Sequence, residues 1–234
     1  MPLRHALAPS PPGAPVDGIV FDLDGTLWDS TELVARAWDA VVRERAPQAG
    51  PIDRAAIRGV MGLAHEELSR RLLPALAPEE REPLVQACYA EEERRLHREG
   101  APLYPGVADG VPHLAARVPL AIVSNCQRGY IEAFFAVSGL GRWFRDAECH
   151  GNTGLGKGEN LAAVVRRCGM ARPLYVGDTA GDQQAAADAG TAFVHVAYGF
   201  GQPARPCPSF ASFSELTRHL LARVAGPDVS EERP

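Results

Sequence analysis

The residues best placed to do chemistry are Asp22 and Asp24, one residue apart in Gly18-Ile19-Val20-Phe21-Asp22-Leu23-Asp24-Gly25-Thr26. The apolar run before them reads as a short strand buried on both faces. In extended backbone, residues i and i+2 point the same way, so the two carboxylates converge beyond the strand's C-terminal end. That is where open α/β sheets place their ligands. Carboxylates so close repel unless a cation or a shared proton intervenes, and Mg²⁺ is the natural cation for hard oxygen ligands. Gly25 lets the chain turn sharply or lets a ligand approach the backbone. A helix cap with turn chemistry would use the same residue types. An EF-hand calcium loop would need Gly at Leu27 and Glu at Leu33, and is excluded.

Two more apolar runs end in polar groups. Leu120-Ala121-Ile122-Val123 leads into Ser124-Asn125, and Leu174-Tyr175-Val176 leads into Gly177-Asp178, with Asp182 one helical turn later. Adjacent parallel strands would bring all of these to one edge of a sheet. Each alone could be a turn or cap residue; three strands ending alike argue for a site.

Of the 24 basic residues only Lys157 is lysine, which marks a place where Arg does not serve. The stretch Gly151 to Lys157 satisfies Gly-x-x-x-x-Gly-Lys, the start of a P-loop. Gly158, however, stands where a P-loop needs Ser or Thr, and no apolar strand leads into the stretch. The other reading puts Lys157 at a helix N-terminus with its ammonium swung towards the carboxylates.

The elements that must position these groups follow from periodicity. Ser30 reads as the N-cap of a helix to residue 46, with Leu33, Val34, Ala37, Trp38 and Val41 as its apolar stripe. From there to Gly100 the pattern is helical, punctuated by Pro47, Pro51, Pro74, Pro78 and Pro83 as breaks or helix starts. Glu91-Glu92-Glu93-Arg94-Arg95 reads as a solvated helix face. After Gly100, helices to about 117, over 129–137, 158–168, 179–189 and 213–224 alternate with the strands named above and with a fourth at Ala192-Phe193-Val194-His195-Val196. The expected fold is a doubly wound parallel α/β sheet, spanning 16–30 and 101–225, with residues 31–100 inserted as an all-helical domain. Residues 1–15 read as a disordered leader and 226–234 as a mobile tail.

A net charge of −5 gives no basic footprint for nucleic acid or an anionic membrane, and no apolar run is long enough to span one. Five scattered cysteines, Cys126 and Cys207 among them, form no Cys-x-x-Cys, so the expected compartment is a reducing cytoplasm.

The ordered set Asp22-x-Asp24-Gly25-Thr26, Ser124-Asn125, Lys157 and Gly177-Asp178-x-x-x-Asp182 resembles the four motifs of the haloacid dehalogenase-like phosphatases. The helical insertion is similar to that family's small helical cap. Tyr104-Pro105-Gly106-Val107 and Tyr198-Gly199-Phe200-Gly201 resemble segments of its phosphoglycolate-phosphatase-like branch. That branch commonly follows the lysine with proline, where this chain has Gly158, so phosphoglycolate itself is not fixed as the substrate.

The resemblance implies Asp22 as nucleophile, Asp24 as general acid and base, and Lys157 as charge-balancing cation. It implies Mg²⁺ held among Asp22, Asp24, Asp178 and Asp182, the last in contact with the metal's waters or with Lys157. Gly25, Thr26, Ser124 and Asn125 would hold the phosphoryl group. Arg58, Met61 and Gly62 fall where relatives carry a specificity loop; Arg58 could bind a second anion or be a solvated helix residue, and His65 reads as surface. The implied partner is a small phosphorylated metabolite, met by a monomer or homodimer. Mutase and phosphonate-hydrolase relatives rely on a cap lysine that this chain lacks; a phosphomutase of the β-phosphoglucomutase type and a catalytically silent relative remain the alternatives.

Overall fold

The computed structural model describes residues 15–224. Apart from Pro15, the leader and tail read from the sequence lie outside the described residues. Six strands form one sheet: β1 (Gly18–Phe21), β2 (Leu120–Ser124), β3 (Phe144–Cys149), β4 (Pro173–Gly177), β5 (Ala192–Val196) and β6 (Ser209–Phe210). Their order is β3-β2-β1-β4-β5-β6 and every pairing is parallel. β1, β2 and β4 are buried along their whole length, as their unbroken apolar runs require.

Alternation along β1 divides the core. Ile19 and Phe21 face α5 (Val107–Ala115), α6 (Tyr130–Ser138) and α10 (Phe213–Leu221). Val20 faces the opposite layer, α8 (Lys157–Arg167) and α9 (Ala180–Ala189). The sheet is thus wound on both sides, as expected. β3 and β6 carry no apolar signal because they are edge strands: β3 is Phe-Arg-Asp-Ala-Glu-Cys, half-exposed, and β6 is two residues after the proline-rich loop. A short helix α7 (His150–Thr153) follows β3, so the strand that precedes the glycine-rich stretch is a polar edge strand, in keeping with the absence of an apolar one in the sequence. The stretch is no phosphate cradle: the Gly151 amide donates to the Cys126 carbonyl at 3.0 Å, tying it to the loop after β2.

Between β1 and α5 lie four helices, α1 (Thr31–Arg45), α2 (Arg54–Arg58), α3 (His65–Leu72) and α4 (Pro78–Glu99). They enclose their own apolar cluster, including Trp38, Val42, Ile57, Leu73 and Val85. Leu33 and Leu96, at the two ends of the block, pack with the sheet's cluster instead. Pro78 starts α4 as expected, but Pro83 lies inside it and does not end it. Ser30 sits at the N-cap position of α1 yet makes no capping bond; its hydroxyl donates to Asp24. Among the described residues no helix is long and apolar enough to cross a membrane, and all five cysteines are free.

Candidate active site

β1 is flanked by β2 and β4, so the residues that follow these three strands gather at one edge. Asp22 continues β1, its amide donating to the Val176 carbonyl at 2.8 Å, and is 2% exposed. Carboxylate oxygens of Asp22, Asp178 and Asp182 all lie within 4.8 Å of one another.

Asp178 is closed in from two sides. Gly25 has φ +83°, and a Cβ there would meet Asp178 Oδ2 at 2.2 Å; a Cβ on Gly199 would meet Asp178 Cβ at 2.3 Å. Both positions need glycine, the first for conformation and both for space. The Phe200 amide donates to Asp178 Oδ2 at 2.6 Å. Asp178 Oδ1 is buried without a hydrogen-bond partner in the protein. An orphaned anionic oxygen beside two further carboxylates fits a hard divalent cation.

Lys157 opens α8 and its Nζ donates to Asp22 Oδ1 at 2.7 Å and to Asp182 Oδ1 at 2.5 Å. Asp182 also accepts from the Thr179 amide and hydroxyl, at 3.0 and 2.6 Å, and from the Asp178 amide at 3.2 Å. Both oxygens of Asp182 are engaged, so its place is to hold Lys157 and the start of α9 rather than to face the open site.

Burial alone would depress the Lys157 pKa, but Asp182 and then Asp22 outweigh it and hold the ammonium well above its ordinary value. Burial, reinforced by Asp182, pushes the Asp22 carboxyl well above its usual range despite Lys157. Burial and Asp182 likewise push Asp178 up to about 7. For Asp182 the cost of burial is overcome by Lys157, and its pKa falls. Three buried carboxylates share one ammonium, an arrangement that calls for further positive charge.

Asp24 has a different shell. Its Oδ1 accepts from Trp28 Nε1 at 2.9 Å and from the Ser30 and Tyr130 hydroxyls at 2.7 Å each. Among the described residues no hydrogen bond reaches Oδ2. Burial raises the Asp24 pKa, and the three donors partly offset it. Trp28, Ser30 and Tyr130 were missed by the sequence reading; Trp28 and Ser30 sit close enough along the chain to be suspected, whereas Tyr130 arrives from α6.

A cavity between the sheet edge and the helical block is lined by Asp22, Asp24, Ser124 and Asn125 from below, and by Met61 and Gly62 from above. Ser124 is buried, and its Oγ accepts from the Cys126 amide at 3.3 Å. The Asn125 side chain donates to the Gly62 carbonyl at 2.9 Å, so it joins the two layers. Cys126 also lines the cavity. Thr26 and Gly25 are not brought there: Thr26 is fully buried, and the Gly25 amide donates to the Trp28 carbonyl at 3.0 Å.

Arg58 does not line the cavity and is an exposed helix residue, the second of the two places read from the sequence. Its guanidinium donates to the Gly199 carbonyl at 2.7 Å and lies 4.9 Å over the Phe200 ring, so it ties α2 to the loop that wraps Asp178. His65 bridges Tyr89 and Glu82 at the start of α3. The solvated-face reading of Glu91 to Glu93 fails at Glu92, which is 4% exposed and lines the cavity. Its oxygens accept from Trp38 Nε1 at 2.6 Å and Gln127 Nε2 at 2.8 Å, and burial pushes its pKa up to about 7. A five-residue charge run gave no sign that its second member turns inward.

Residues 19–196 match the family model described as haloacid dehalogenase-like hydrolase. A phosphoglycolate phosphatase of Rhodobacter capsulatus is 31% identical over 207 residues, spanning 85% of this chain and 93% of the relative. One from Synechococcus elongatus is 33% identical over 190 residues, spanning 79% and 85%. A haloacid dehalogenase-like family hydrolase from Streptococcus pneumoniae superposes with a TM-score of 0.75 over 88% of this chain and 97% of its own, at 21% identity, which speaks to the fold alone.

Proposed function

The chain belongs to the haloacid dehalogenase-like hydrolase family, and we propose that it hydrolyses a small phosphate monoester with Mg²⁺, through an aspartyl phosphate on Asp22. The observation that carries this reading is the contact of the sole lysine with Asp22, inside a cluster of carboxylates whose charge is unbalanced.

Asp22 attacks phosphorus and displaces the ester oxygen, forming the aspartyl phosphate. Asp24, whose pKa burial raises, acts in its acid form and gives its proton to the departing alkoxide. As a carboxylate it then takes a proton from the water that attacks the phosphoryl group, which frees Asp22 and orthophosphate. Trp28, Ser30 and Tyr130 fix one oxygen of Asp24 so that the other faces the reaction. In this reading Lys157 neutralises phosphoryl charge from the side of Asp22, and Ser124, which lines the cavity, donates its hydroxyl to a phosphoryl oxygen. Bound by Asp22, Asp178 and the Asp24 carbonyl, Mg²⁺ would supply charge stabilisation to the phosphoryl oxygens.

Residues 31–100 act in this reading as a cap domain, closing the site from above and setting substrate choice with Met61 and Gly62. The protein acts as a monomer or homodimer on a soluble phosphorylated metabolite, and its free cysteines suit the reducing cytoplasm. p-Nitrophenyl phosphate with Mg²⁺ tests the chemistry. Wild type is expected to turn it over, and Asp22→Asn to lose the activity while keeping its melting temperature; retention of more than a few per cent would reject Asp22 as nucleophile.

A further inference from the structure

We propose that Glu92 reads the organic half of the substrate, and that this half offers a hydroxyl or ammonium donor and carries no second negative charge. The proposal rests on the phosphatase reading above and names the substrate class for the same site.

Glu92, on α4, lines the same cavity as Asp22 and Asp24 and is buried. It is fixed from both layers, by Trp38 of α1 and by Gln127 of the loop after β2. Each oxygen has accepted one donor and keeps a second lone pair for another. In its ionised form Glu92 offers a bound ester acceptors only.

The remaining charges decide what can sit there. Among the described residues lining the cavity, the charged side chains are Asp22, Asp24 and Glu92; there is no Arg, Lys or His. Arg58, the cation the sequence put forward for a second anion, is held by Gly199 and Phe200 outside the cavity. Lys157 is held between Asp22 and Asp182 at the phosphoryl end. The lining also includes the apolar side chains of Val34, Ile57, Val60 and Leu68. In such surroundings a substrate carboxylate would face a fixed carboxylate with no counter-charge and little screening. A hydroxyl or ammonium would instead form a charge-assisted hydrogen bond with Glu92. Burial has left that carboxylate incompletely stabilised, and a donor from the substrate completes its shell.

The test uses the full-length protein with Mg²⁺ and three small esters: phosphoethanolamine, glycerol 3-phosphate and phosphoglycolate. The first two are expected to exceed phosphoglycolate in kcat/KM by at least tenfold. Glu92→Gln, nearly isosteric, is expected to remain folded and to narrow that ratio at least tenfold. A wild-type preference for phosphoglycolate, or a folded variant with an unmoved ratio, overturns the proposal. Should the variant not fold, inhibition of wild-type p-nitrophenyl phosphate turnover decides: ethanolamine must compete better than glycolate. Turnover of p-nitrophenyl phosphate alongside a preference for phosphoglycolate sinks this inference alone, whereas no turnover of any ester sinks the phosphatase reading and this inference with it.

Discussion

Lys157 Nζ lies 2.7 Å from Asp22 Oδ1, although the two residues are 135 positions apart in the chain. Both are almost fully buried, and Asp182 holds the ammonium from its other side. The contact makes the identity of the cation testable. A guanidinium is larger, planar and prone to bidentate pairing, and would compete for the carboxylates that a metal needs. Lys157→Arg is expected to lose at least ~10²-fold in kcat/KM, roughly 3 kcal/mol of transition-state stabilisation. Steady-state kinetics beside a melting curve check this, and activity within threefold of wild type would make Lys157 an ordinary cation.

Metal binding can be read without turnover. Three buried carboxylates facing one another should be relieved by Mg²⁺, so the cation raises the melting temperature. At tenfold over its Kd the stabilisation is about 1.4 kcal/mol, roughly 3–6 °C for a chain this size. Asp178→Asn, which alters the orphaned oxygen's residue, should abolish the shift. EDTA should remove activity and Mg²⁺ restore it, and Ca²⁺ should inhibit through its looser coordination. Full activity in EDTA would reject the metal.

Tyr130 donates to Asp24 and so favours its ionised form. Tyr130→Phe should therefore raise the Asp24 pKa further. Leaving-group protonation needs the acid form, so the alkaline limb of kcat/KM against pH should move to higher pH in the variant. An unmoved limb would mean that the titrating acid is not Asp24.

Glu92 couples stability to pH. Its folded pKa, about 7, stands above the ordinary glutamate value of 4.5. A raised pKa means that stability is fullest below the unfolded value and is lost as pH rises through the folded one. The difference corresponds to about 3 kcal/mol lost by wild type between pH 4.5 and 8. Glu92→Gln has no such loss, so its melting temperature minus that of wild type should grow more positive from pH 5 to pH 8. A difference independent of pH would contradict the burial of an ionisable Glu92.

The apolar runs of β1, β2 and β4 were legible because a strand buried on both faces must be apolar throughout, and their polar ends stood out against that background. β3 and β6 were not, since an edge strand half-open to solvent needs no continuous apolar run.

By itself the sequence determined the doubly wound sheet, the helical insertion, and Asp22, Asp24, Ser124, Asp178 and Lys157 as one gathering of groups. These depend on local periodicity and on the rule that parallel strands present their ends at a common edge. Only tertiary structure decided how the gathered groups are used. It turned Ser30 from a helix cap into a donor to Asp24, occupied both oxygens of Asp182, and took Arg58 out of the cavity. It also brought Glu92 in from a run of charges. Those outcomes depend on which faces of separate helices meet across the sheet edge, and a helix's rotation about its axis is fixed by its packing partners rather than by neighbours in sequence.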